Sequence, residues 1–144
     1  MAVPLSPIGN VVLSLQIVSL FLLILGFPFV KRKGEKKNLI RHGYLATLAL
    51  VLHTIPLLIV MIPSFFTNLN SIGNLSILQS ITVWLHAATG ASSEILGIFM
   101  VASWAFKPPQ QMTCARRKWL MMPTFIIWTV SLITGAVIDV VGII

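Results

Sequence analysis

Acidic residues are almost missing from this chain: Glu35, Glu94 and Asp139 are the only three among 144. Basic residues number ten, and none lies outside two short stretches, 31–41 and 107–118. The first holds Lys31, Arg32, Lys33, Lys36, Lys37 and Arg41, and the second Lys107, Arg116, Arg117 and Lys118. Charged residues are therefore 9% of the chain against 57% hydrophobic, a balance suited to lipid rather than to a soluble domain. Cysteine is scarce too. Cys114 alone excludes an internal disulfide or a thiolate metal cluster within one chain, and beside Arg116 it reads as an ordinary free thiol. The first 30 residues carry no charge, so they lack the basic start of a secretory signal and read as a retained first helix. No internal repeat, Gly-rich phosphate loop, nucleophile elbow or His-Glu-x-x-His pattern occurs, which removes the sequence grounds for a hydrolase.

What is present is a set of long uncharged runs, and the basic residues orient them. Short loops rich in Lys and Arg stay on the inner side of a membrane. Two such loops between paired apolar runs require four spans, at about 8–30, 39–62, 80–106 and 119–143. The expected fold is all-α: one integral membrane domain, a four-helix bundle with both termini outside and two basic cytoplasmic loops, placed in the plasma membrane. A net charge of +7 would suggest nucleic acid in a soluble protein. Here the charges flank spans, where anionic lipid headgroups are the nearer partner, and no nucleic-acid role is expected.

Pro56 removes a backbone donor and crowds the carbonyl of Leu52, which predicts a kink near His53. Trp84, Trp104, Trp119 and Tyr44 fall near interfaces, as an aromatic belt requires. The stretch 64–79 is uncharged and rich in Asn, Ser and Gly, and reads as an outer loop along the membrane surface. Its Asn74-Leu75-Ser76 matches a glycosylation acceptor but lies too near the bilayer for us to expect its use.

Ionisable groups in hydrocarbon cost roughly 2.5–3.5 kcal/mol each on insertion scales, so His53, His86, Glu94 and Asp139 need an explanation. Counting at ~1.5 Å per residue from the outer end of each span, Gln16, His53, His86 and Asp139 lie roughly 12, 14, 9 and 8 Å deep. One polar residue from each helix thus reaches a common outer layer. At ~100° per residue, His42, Ala46, Ala49, His53 and Pro56 share one stripe, and His86, Gly90, Ser93 and Gly97 another. Asp139 shares a third with Gly135, Ser131 and Trp128. Faces of small residues turn toward neighbouring helices, so His53, His86 and Asp139 are expected to meet in the core.

Three roles stay open for this layer. His53 and His86 suit bis-histidine ligation of haem b, and with Asp139 they suit copper or another imidazole-preferring metal. Alternatively these groups and Gln16 bond to one another and hold the helices in register, or they relay protons through Glu94. Glu94 lies deeper than the others, about 80° around its helix from His86, with no cation in any span to pair with it. It is expected to be protonated or bonded to hydroxyls or carbonyls. His42, beside Arg41, reads as interfacial. A second haem would need another ligand pair, and Met100 matches His42 poorly in depth, so one cofactor at most is expected.

The basic run ending in Arg41-His42 before a span, His86 near the start of another, and Ala115-Arg116-Arg117-Lys118-Trp119 followed by Pro123 and Trp128 form an ordered set. In this order of features the chain resembles a family of small four-helix membrane proteins that includes the CtaM-type maturation factor of haem-copper cytochrome oxidase. The resemblance implies a small accessory or assembly subunit of a membrane respiratory oxidase or a copper-containing monooxygenase, packed against larger subunits of a redox complex. An archaeal ammonia or methane monooxygenase is one setting that size and topology allow. The competing expectation is a free-standing b-type cytochrome carrying electrons from quinol.

Overall fold

The computed structural model describes residues 7–31, 36–105 and 118–142, helical except for short turns at 68 and 73–76 and a terminal turn at 142. The protein is all-α, and four stretches are long and apolar enough to cross a membrane: Pro7–Phe29, Lys37–Thr67, Ile77–Ser103 and Trp119–Val141. They form a multi-pass four-helix bundle. The elements are α1 (Pro7–Lys31), α2 (Lys36–Pro56), a π turn (Leu57–Met61), α3 (Ile62–Thr67), α4 (Leu69–Ile72), α5 (Ile77–Ala105) and α6 (Lys118–Val141). Cys114, Arg32, Lys33, Lys107, Arg116 and Arg117 lie outside the described residues.

Helices form throughout because a backbone in lipid must satisfy its own hydrogen bonds. The hydroxyls follow the same rule. Ser19, Thr47, Thr124 and Thr129 each donate to the carbonyl four residues back, at Leu15, Gly43, Leu120 and Phe125, so none leaves a bare donor in an apolar setting. Large apolar side chains such as Ile17, Phe21, Leu58, Ile95 and Ile133 stay exposed on the outer faces, which a lipid solvent stabilises as well as a protein core would.

The helices pack as two antiparallel hairpins. α1 lies along α2 and α5 along α6, while α2 with α5 and α1 with α6 touch more sparingly. Small residues set the approach inside each hairpin. A Cβ on Gly26 would lie 2.9 Å from His42 Nδ1, and one on Gly135 would lie 2.8 Å from His86 Cε1, so each imidazole occupies the space a side chain would need. The stripe of His42, Ala49, His53 and Pro56 is buried, as are Gly90, Ser93 and Gly97. At the end near the basic loops, Phe27 of α1 and Phe125 of α6 meet edge to face at 5.2 Å and close the seam.

Two features of the second span differ from the sequence reading. The irregularity near Pro56 falls one turn later than expected: residues 57–61 form a π turn, with Ile62 N–H reaching Leu57 O. Pro56 and Pro63 bracket this wider turn, each lacking a backbone donor. The helix also continues past 62 to Thr67. The expected surface loop is therefore mostly helix. Ile72 of α4 is buried and packs with Val83 and Ile138, with Phe65 and Leu75 around them, so the segment caps the end of α5 and α6 away from the basic loops. Apolar burial of one such side chain is worth about 1.5–3 kcal/mol, enough to fold an uncharged Asn/Ser-rich stretch inward.

Candidate functional site

The seam between the hairpins is polar at one level, and His53 of α2 stands at its centre, 3% exposed. His53 Nδ1 lies 2.5 Å from Gln16 Oε1 of α1. A carboxamide oxygen only accepts, so Nδ1 carries the proton and the lone pair stays on Nε2. Nε2 has no hydrogen-bond partner, and Glu94 Oε2 of α5 is 3.7 Å away. On the ring face, Trp128 of α6 packs at 4.3 Å between centroids, tilted by 45°. All four spans thus contribute to one histidine.

Glu94 is fixed by α2. Thr54 Oγ1 lies 2.6 Å from Glu94 Oε1 and 2.8 Å from Leu50 O. One hydroxyl hydrogen cannot serve both acceptors at once, so either the hydroxyl alternates or the carboxyl supplies a proton of its own. Around this centre four buried polar atoms lack partners: Gln16 Nε2, His53 Nε2, Glu94 Oε2 and Trp128 Nε1. Such groups ordinarily cost about 1–3 kcal/mol apiece when left unmade.

A cavity of about 240 Å³ adjoins the cluster, reaching from Gln16, His53 and Trp128 to Ile8, Ser64 and Asp139 near the end of the bundle away from the basic loops. His86 lines it as well. His86 Nδ1 donates to Ser131 O of α6 at 2.9 Å, a carbonyl that also accepts from Thr134 Oγ1 at 3.0 Å. His53, His86 and Asp139 therefore share one cavity wall. They do not gather as donors to a single ion: among the described residues no three of His, Cys, Asp and Glu could hold a metal.

The porphyrin that the sequence left open as one of three roles meets a limit of size. Cofactor-sized pockets run to about 300–1,000 Å³, and the cavity beside His53 and His86 holds about 240 Å³. The cavity is thus smaller than the range for cofactor-sized ligands. The histidines nonetheless have the orientation that ligands usually have, with Nδ1 on an oxygen acceptor and Nε2 left with its lone pair.

His42 is corrected. The expected access to water and headgroups is absent: the ring is 6% exposed, with Nδ1 donating to Gly26 O at 3.0 Å. The missing side chain at Gly26 gives the imidazole a berth inside the first hairpin, which outweighs the pull of nearby water. Two further residues were not singled out as site members from the sequence. Thr54 had no signal beyond its neighbour His53. Trp128 enters the sequence reading through the Asp139 stripe and the run after Lys118, and neither gives it a place beside His53, although a tryptophan at mid-helix, away from both interfaces, marks an inward-facing ring.

Replacing Glu94 tests how far this cluster is structural. Glutamine keeps an oxygen for Thr54 and should leave stability within about 0.5 kcal/mol of wild type, while leucine should cost about 1 kcal/mol, since Thr54 retains Leu50 O. Unfolding in mixed micelles measures both. A loss above ~3 kcal/mol for the leucine variant would mean that Glu94 makes a stronger contact than the Thr54 hydrogen bond. Comparison with known protein families, with characterised proteins and with solved structures finds no match to this chain.

Proposed function

We propose that this chain is a small accessory or assembly subunit of a membrane redox complex, a respiratory oxidase or a copper-containing monooxygenase, whose outer helix faces pack against larger subunits. The observation that carries the reading is the buried layer of Gln16, His53, Thr54 and Glu94. Groups of this kind are expensive inside a bilayer and concentrate where protons, electrons or their carriers are handled. The layer holds no activated nucleophile that would make the chain an enzyme by itself. The likeness to the family of the CtaM-type maturation factor, through Arg41-His42, His86 and the 115–119 run, favours an oxidase setting. In the proposed orientation both termini lie outside the plasma membrane. The two basic loops then face anionic headgroups on the cytoplasmic side, through Lys31 to Arg41 and Arg116 to Lys118.

The second reading, a b-type cytochrome, draws on the shared cavity of His53 and His86 and on their Nδ1 bonds, which leave Nε2 of each ring with its lone pair. One preparation separates the two. Mild-detergent purification of the native protein should give a colourless chain that co-migrates with larger subunits. A Soret band at one haem per chain would favour the cytochrome, and a chain that migrates alone without colour would sink both. Labelling of a cysteine introduced at Ser71 checks the orientation, which is wrong if the thiol reacts only after the cytoplasm is opened.

A further inference from the structure

The cavity beside His53 combines two features that water alone does not require. Gln16 Nε2 and Trp128 Nε1 are N–H donors on different helices, each on a side chain at most 4% exposed, and neither has an acceptor. Both residues line the cavity, and much of the remaining wall is apolar, including Val12, Leu13, Val60, Phe65, Val83 and Leu132. Two donors beside a largely apolar wall, which also carries Ser64, His86 and Asp139, select a ligand that is mostly hydrocarbon and presents oxygen acceptors. The volume narrows the class. A cavity of about 150 Å³ holds one benzene ring, and drug-sized ligands need about 300 Å³ or more. At about 240 Å³ the chamber suits a single substituted ring.

We propose that this cavity is a binding site for the headgroup of a membrane quinone, with Trp128 Nε1–H and Gln16 Nε2–H donating to its carbonyl oxygens. Gln16 holds two relationships at once: Oε1 accepts from His53 Nδ1, which turns Nε2 into the free donor. Trp128 is likewise fixed, its ring against His53. Both side chains are held against His53 before a ligand arrives, which lowers the ordering cost of binding, and their N–H groups, covered at rest, meet a carbonyl oxygen through a small side-chain rotation. The chamber reaches Ile8, 62% exposed, at the start of α1, an apolar rim along which a hydrocarbon tail can leave for lipid.

An ester carbonyl of a phospholipid shares this chemistry, and the test separates the two. The full chain is placed in nanodiscs of phosphatidylcholine with ether-linked or ester-linked tails and titrated with duroquinone, a one-ring quinone, with empty discs subtracted. Saturable binding of equal affinity in both lipids is expected. Trp128→Phe keeps a ring on His53 and removes the N–H, and should weaken binding about tenfold, the scale of one buried hydrogen bond. Ala136→Leu fills the chamber from its wall and should abolish saturable binding with the melting transition unchanged. Trp119→Phe, at an exposed ring away from the cavity, should bind as wild type. No saturable excess over empty discs, or equal binding by the Trp128 and Ala136 variants and wild type, overturns the proposal and leaves the chamber to water. Binding in ether lipid that ester lipid displaces assigns the site to lipid carbonyls and also overturns it. The inference rests on the cavity and not on the subunit reading: quinone binding by a chain that migrates alone refutes only that reading, and co-migrating subunits without quinone binding refute only this one.

Discussion

Replacing His53 with alanine is expected to cost the bundle about 3–5 kcal/mol, the largest effect of any single change in the seam. Three losses combine. Gln16 Oε1 loses its donor, the face of Trp128 loses the ring packed on it, and a void opens at a residue 3% exposed. Because part of this cost is the stranded carboxamide, it depends on Gln16. In a Gln16→Leu background the same His53→Ala change should cost about 1–2 kcal/mol less, a coupling that a double-mutant cycle in mixed micelles reads directly. Strict additivity would mean that the Gln16–His53 contact contributes nothing to stability.

The second large effect belongs to Gly135. Leucine there should destabilise by about 2–4 kcal/mol, from overpacking of about 1–3 kcal/mol together with about 1 kcal/mol for a displaced hydrogen bond. The origin is geometric: the new Cβ would sit 2.8 Å from His86 Cε1 and 3.2 Å from Nδ1, and the imidazole is held on Ser131 O. Moving the ring away therefore breaks that bond, and keeping it forces α5 and α6 apart. Shortening the histidine should relieve the conflict, so Gly135→Leu should cost less in a His86→Ala background than in wild type. An undiminished penalty in that background would place the clash elsewhere.

The four spans were legible because hydropathy adds along a run of residues, and no tertiary contact is needed to read it. The stripes of small residues were legible for a related reason: periodicity alone put His53, Ala49 and Ser93 on inward faces, where the structure buries them. Residues whose role depends on a neighbour in another helix were harder. Thr54 looks like any hydroxyl that bonds back to its own helix, and it does so to Leu50, but its second contact is to Glu94, forty residues away. His42 lies near the start of its helix, and position along the helix does not reveal that the vacancy beside Gly26 turns its ring into the bundle. The polar composition of the 64–79 stretch points to a surface loop and hides the spacing of Phe65, Ile72 and Leu75, which folds it onto the bundle end. Whether a metal, a haem or a quinone enters the layer turns on distances and volume across the seam, and those exist only after the hairpins have docked.

The order of helices along the chain bears on how the protein is made. A ribosome delivers α1 first, then α2, so His53 arrives in the bilayer with Gln16 already present to accept its Nδ1–H hydrogen bond. Glu94 comes third, after Thr54 and His53 are in place. Its carboxyl never has to wait in hydrocarbon for a companion still to be synthesised. His86 is the exception, since Ser131 lies on the last helix, and the interval between α5 and α6 is the one stage of synthesis at which an imidazole stands in the membrane without its carbonyl.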